Sequence, residues 1–191
     1  VEILRDDDPR ARRLLDEGAR VVGESWGARL LIEDVDPAVL HALVRRVGDR
    51  GLDVAELTAD DAADVHALEA DTRDDYPVGP ATPRPDLDAE GARRLFDDHR
   101  VFGVRDGRLL VGVTAVQQLP ERAETAFTSV RSTHRGAGVA TAVKAASVLA
   151  LAADGVRVFG TGGAGSNAAS LGMNQTVGYR VTERWLTLAP R

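Results

Sequence analysis

The chain has no cysteine. That excludes a disulfide framework, a thiolate zinc site and a cysteine nucleophile, and it fits a reducing, cytoplasmic setting. No run approaches 18 apolar residues, and charges stand where a signal peptide would carry its apolar core, so a soluble, unexported protein without a membrane partner is expected. Two phosphate-loop signatures are also missing. There is no G-K-[ST] of a Walker A loop, and from Gly136 the third position of a G-x-G-x-x-G/A turn is Thr141. The net charge of −6 speaks against nonspecific nucleic-acid binding and weakly for cationic substrates, although most such charges simply solvate a surface. What is present is globular: 191 residues with 43% apolar and 28% charged suffice for one domain with a real core, with or without an appendage.

The chain is organised around Val130 to Thr141, V-R-S-T-H-R-G-A-G-V-A-T. Ala126 to Val130 alternates apolar residues as a half-buried strand does, and Ala140 to Ala153 is a helix former without Pro or Gly, stopped by Asp154-Gly155. The glycines therefore fall at a strand-to-helix turn. Without a Cβ, Gly136 and Gly138 let backbone N–H groups converge on a ligand, and the helix mouth adds unpaired donors and partial positive charge. Such a turn suits a pyrophosphate. Downstream, Val156 to Thr161 reads as a further strand, Gly162 to Asn167 as a loop, and then comes a helix ending at Val177-Gly178-Tyr179.

With these residues the stretch resembles motif A of the GNAT superfamily of acyl-CoA N-acyltransferases, R/Q-x-x-G-x-G/A, filled here by Arg135, Gly138 and Ala140, with Val130 five residues before the Arg. The family's second motif has Asn, then Ala three on, Tyr seven on, and Gly-aromatic eleven and twelve on. Asn167 is followed at those offsets by Ser170, Asn174, Gly178 and Tyr179. The resemblance covers roughly Leu52 to Leu188. It implies an α/β fold with a mixed central sheet, splayed parallel strands and flanking helices. It also implies acetyl-CoA as co-substrate, no metal, and a small-molecule or peptide amine as acceptor, and it leaves a homodimer open.

The rest of the chain is read around that centre. Asp6 to Glu17 is a short capped helix, and Arg20 to Ile32 reads as two strands with a turn around Gly23 and Gly27. G-A-R-V-V-G-E-S-W from Gly18 echoes G-Y-R-V-T-E-R-W from Gly178 with one residue inserted. Residues 1–51 are therefore expected to be the closing helix and hairpin of an upstream unit plus a linking helix, Asp36 to Gly51, ahead of an acetyltransferase domain at 52–191. In that reading the chain, which begins with Val, is the second half of a tandem protein or one that has lost most of its first half. Leu52 to Leu57 is a strand, Thr58 caps a helix to about Ala70, and the proline-rich Asp71 to Pro85 is a loop. Leu87 to His99 is a helix, followed by a meander of strands at Arg100 to Arg105, Leu109 to Gln117 and Glu124 to Val130, with Asp106-Gly107 as a hairpin turn. Trp185 and Phe127 read as packing residues and His41 as a surface or core-edge residue.

The resemblance gives the site residues their roles. The phosphates would lie on the amides from Gly136 through Ala137, Gly138 and Val139 to Ala140, with charge from Arg135, a hydroxyl from Thr141 and Asn167 nearby; Val130 would bond pantetheine through its backbone. The acceptor ammonium, with a pKa near 10.4, needs a base. Glu124, six residues before Val130, is the candidate, with Glu69 and Asp75 as rivals. The other reading of Glu124 is an ordinary charge at a strand's start, and period-two alternation puts it on Val130's face unless a bulge intervenes. Asp75 and Tyr76, with Asp74, would meet a polar or cationic acceptor or merely line a solvated loop. Asn174 stands where the family usually has a tyrosine that protonates the leaving thiolate, and an amide supplies no proton. A coenzyme A-binding module without turnover is thus the alternative to an N-acetyltransferase acting through a ternary complex, and a purely structural partner domain is a third reading.

Overall fold

A computed structural model describes residues 1–77, 79–82 and 87–191. In chain order its elements are β1 (Glu2–Arg5), α1 (Pro9–Asp16), β2 (Arg20–Leu31), α2 (Pro37–Gly48), β3 (Asp53–Glu56), α3 (Ala62–Asp71), α4 (Ala89–Asp98), β4 (His99–Asp106), β5 (Leu109–Gln118), β6 (Ala123–Val130), α5 (Val139–Ala153), β7 (Val158–Ala164), α6 (Ala168–Val177) and β8 (Arg180–Ala189). Caps set several boundaries. Asp8 and Asp36 accept from the amides of Arg10 and Ala38, each ahead of a proline in the first helical turn. Thr58 and Asp61 form a capping box before α3. No helix among the described residues is long and apolar enough to cross a membrane.

The strands form one eight-stranded sheet in the order β1-β8-β2-β7-β6-β5-β4-β3. Ala28, Leu30, Val116, Ala123 and Phe159 point to one face, where they meet Ala145, Val148 and Leu151 of α5, Leu40 of α2 and Val177 of α6. On the other face Val101, Val113, Ala115 and Phe127 meet Val65 and Leu68 of α3 and Leu95 of α4. Burying side chains of this size stabilises by about 1.5–3 kcal/mol each relative to exposure, so the two faces hold the sheet from both sides.

Two expectations are corrected here. Arg20 to Ile32 is not two strands with a turn: β2 is one strand of 12 residues. Its irregularities are register shifts between Val21 and Gly23 and between Gly27 and Ala28, so the glycines mark bulges that bend a continuous strand. Nor does a hairpin close either end of the chain. After α6 only β8 follows, and the neighbour it needs is β2, which lies between β7 and β8 and pairs antiparallel with both. A strand that the sequence reading did not anticipate, β1, covers the far edge of β8. Residues 1–51 thus contribute β1 and β2 to the same sheet.

The echo between Gly18 and Gly178 has a structural counterpart. Both glycines follow helices with positive φ, 95° and 117°, and the strands after them run side by side in opposite directions. The order β1-β8-β2-β7 reads the same when β1-α1-β2 and β7-α6-β8 are exchanged.

Candidate active site

The glycine turn is built as a concave row of donors. Gly136 and Gly138 have φ of 72° and 85°, a region that a side chain disfavours, and Gly138 leads directly into α5. Among the described residues, no turn or cap hydrogen bond uses the amides of Gly136, Ala137, Gly138, Val139 or Ala140; the first cap bond is Ala142 N–H to the Gly138 carbonyl at 2.9 Å. Space lies above the row, because a Cβ built on Gly136 would meet nothing within 4 Å. The turn is braced from behind. Arg50, just after α2, donates to the Ala137 carbonyl at 2.9 Å, and Gly112 lets β5 approach so closely that a Cβ there would fall 2.4 Å from Val139 Cγ1.

This row opens beside a gap in the sheet. The parallel strands β6 and β7 are in register only at Ala123 with Phe159 and Glu124 with Gly160, and beyond that point they separate. The freed edge of β6 is held by side chains instead. Tyr76 Oη donates to the Thr128 carbonyl at 2.7 Å and bonds Ser129 Oγ, while Arg135 Nε donates to the Val130 carbonyl at 3.1 Å and its guanidinium pairs with Asp75. Asp75 and Tyr76, expected at an acceptor site, therefore sit on the edge of the strand expected to hold pantetheine. Asp74 lies beside them in a short 3-10 turn, Arg73–Asp75. Positions 78 and 83–85 of the expected loop lie outside the described residues.

Glu124 is settled in space by a bulge. β5 pairs Ala115 with Phe127 but Val116 with Thr125, so Ala126 is an extra residue and the alternation flips. Glu124 therefore faces the α3 and α4 side with Phe127 and Ser129, opposite Val130. Its carboxylate accepts from Arg29 Nη1 at 3.0 and 3.3 Å and from Arg122 Nε at 2.8 Å. Gly160 makes room for this ion pair, because a Cβ there would lie 2.0 Å from Glu124 Oε2 and 2.2 Å from Arg29 Nη1. On the same face the buried Glu69 accepts from Ser129 Oγ.

The second motif makes local bonds within α6. Asn167 caps α6, its Oδ1 accepting from Ser170 N–H at 3.0 Å. Asn174 is 1% exposed; its Nδ2 donates to the Ser170 carbonyl at 2.9 Å, and its Oδ1 is a buried acceptor without a partner among the described residues. Tyr179 is a core residue, as read. Sequence reasoning passed over Arg29, Tyr76's bond to β6, and above all Lys144. Lys144 is the one charged residue in the 15-residue α5, 1% exposed, with Nζ 3.1 Å from Thr161 Oγ1 and 4.8 Å from the ring centroid of Tyr179. Burial pulls its ammonium down to about 7, with the Glu124 charge opposing. The signal for it was legible: a single charge in an otherwise apolar helix interior.

A cavity of about 270 Å³ opens between β2, the Pro77–Thr82 segment and the end of β7. Val22, Glu24, Pro77, Thr82, Ala164 and Ser166 are among its walls, and Glu24 is the ionisable group among its described lining residues.

No protein-family model and no curated protein matches the sequence. Solved structures do. A GCN5-related N-acetyltransferase from Sphaerobacter thermophilus aligns with TM-score 0.69 at 16% identity, over 97% of this chain and 57% of that one. A tandem GNAT protein from the clavulanic acid biosynthesis pathway aligns with TM-score 0.62 at 20% identity, over 96% and 58%. A GCN5-related N-acetyltransferase from Kribbella flavida gives 0.59 at 18%, over 93% and 62%. The chain thus spans somewhat more than half the length of these structures. Eight mixed strands, the gap between the parallel pair and the glycine turn at the mouth of α5 together make this the GCN5-related N-acetyltransferase fold.

Proposed function

We propose that the chain is an acetyl-CoA-dependent N-acetyltransferase that acylates a primary amine directly, without a covalent enzyme intermediate. One observation carries the reading: consecutive amides from Gly136 to Ala140 without a turn or cap bond among the described residues, at a helix mouth beside a sheet gap wide enough to end strand pairing. Such amides, with the positive end of a 15-residue helix behind them, fit a pyrophosphate. The coenzyme, when bound, supplies the acyl thioester. Arg135 adds positive charge at the row's start, Thr141 a hydroxyl in the first turn, and the β6 edge at Val130 a backbone ladder for pantetheine once Tyr76 and the Asp75–Arg135 pair yield. Asn174 Oδ1, buried and without a partner among the described residues, offers an acceptor on the α6 side of the gap.

The acceptor enters on the opposite face, from the cavity whose described ionisable group is Glu24, which favours a cationic amine. Glu124, which lies outside that cavity's lining, takes the ammonium proton once the acceptor reaches the β6–β7 vertex, with Arg29 of β2 orienting its carboxylate. Acetyl-CoA at about 100 times its Kd should stabilise the fold by about 2.7 kcal/mol, read as a rise in melting temperature. Gly136→Glu should abolish that rise by putting a carboxylate into the cradle. A wild-type protein indifferent to acetyl-CoA, or a Gly136→Glu variant with unchanged affinity, would overturn the reading.

A further inference from the structure

An acyl transfer needs a proton at the sulfur that leaves, and Asn174 has none to give. Among the described residues, the buried Lys144 has one that is shed near neutrality. Lys144 projects from α5 under the sheet gap, and its one hydrogen-bond acceptor among the described residues is Thr161 Oγ1. Thr161 is the first residue of β7 beyond the last parallel pair, Glu124 with Gly160, so Nζ is tethered at the vertex where β6 and β7 begin to part. An ammonium has three N–H donors; one goes to Thr161 and the Tyr179 ring lies beneath the charge. The groups facing it are few. Glu124 of β6 acts on it as a charge but is bonded to Arg29 and Arg122 on the other face of the sheet; Tyr179 comes from the turn before β8, and its phenol is held protonated by burial. Asn174 of α6 holds Tyr179 from behind, its backbone carbonyl accepting from the Tyr179 N–H.

We propose that Lys144 is the general acid of the transfer, donating its proton to the departing thiolate from the floor of the gap. This rests on the acetyltransferase reading. The acceptor ammonium first gives one proton to Glu124, which releases it to solvent; the neutral nitrogen then forms the C–N bond and gives a second proton to Glu124. The C–S bond breaks with its electron pair on sulfur; Lys144 protonates that sulfur, and the proton left on Glu124 returns through solvent to the neutral Lys144 amine before the next turnover. Amide and thiol are the products, and no further reactant is required. Burial keeps the group titrating near neutrality, where an acid is most useful, instead of near 10.4.

The test reads the coenzyme's thiol rather than turnover. Free coenzyme A is titrated by thiolate absorbance alone, with wild-type protein and with Lys144→Met, which keeps length and apolar bulk but removes the charge. An ammonium in hydrogen-bond reach should lower the midpoint of the bound thiol by about 1–3 pH units relative to the Lys144→Met complex. Equal midpoints, with coenzyme A bound to both proteins, would overturn the role of Lys144 and leave the acetyltransferase reading standing. Failure of the wild type to bind coenzyme A would overturn both. Should the variant not fold, the wild-type complex decides alone: a midpoint no lower than that of free coenzyme A sinks the proposal.

Discussion

Replacing Lys144 by Met should change how the stability of the fold depends on pH, and the size of the change follows from burial. The ammonium is 1% exposed, and its pKa falls from 10.5 in the open chain to about 7 in the fold. Between those values the unfolded chain carries a proton that the folded chain has shed, so stability must rise with pH across the window. At about 1.4 kcal/mol per unit, the gap corresponds to roughly 5 kcal/mol, a large fraction of the about 5–15 kcal/mol that holds a domain together. Integrated from pH 7, where the folded lysine is about half protonated, to pH 9, the gain is about 2 kcal/mol. Below pH 6 both states hold the proton and the contribution is flat. Urea unfolding of the wild type and Lys144→Met at half-unit steps from pH 6 to 9 isolates the lysine, because every other group is common to both. The variant should be the more stable protein at pH 7 and should lose about 2 kcal/mol of that advantage by pH 9, or roughly 4–8 °C in Tm for a chain of this size. Titration stops at 9 because Tyr179, whose pKa burial raises, works in the other direction once the unfolded phenol ionises near 10. Parallel curves for the two proteins would refute the argument that this lysine is desolvated.

Two further substitutions test how the site is seated and how it works. Gly112→Ala should destabilise by about 1–3 kcal/mol through its clash with Val139 at the mouth of α5, and Val139→Ala in the same chain should recover part of the loss; additive losses in a urea double-mutant cycle would show that the two do not meet. Glu124→Gln should lower kcat by about 100-fold or more while leaving acetyl-CoA affinity within a few-fold, and a fully active variant would remove Glu124 as the base.

Much of the centre was legible because it is local. A strand, two glycines and a capped apolar helix are written within thirty residues, and the physics of a turn with positive φ needs little from elsewhere. The meander and the Asp106-Gly107 turn follow for the same reason. What failed was non-local. Nothing near Arg20 to Leu31 says that its partners are β7 and β8, 127 or more residues later, and so a bulged 12-residue strand read as a hairpin. The face of Glu124 hung on one extra residue, Ala126, whose presence is a property of pairing with β5 rather than of the β6 sequence.

The same long-range pairing explains why the first strands cannot be separated from the chemistry. Arg29 reaches Glu124 only because β2 lies in the slot beside β7, and Gly160 keeps that contact open by carrying no side chain. Arg50 reaches the Ala137 carbonyl because α2 packs along α5, which places the start of the following turn behind the glycine cradle. The segment with the weakest sequence signal therefore supports the proposed site from both ends: one arginine steadies the Glu124 carboxylate, and another fixes the turn that carries the Gly136 to Ala140 amides. A donor row is useful to an anion only when its carbonyls are turned away and held, and in this fold that restraint is supplied from more than eighty residues upstream.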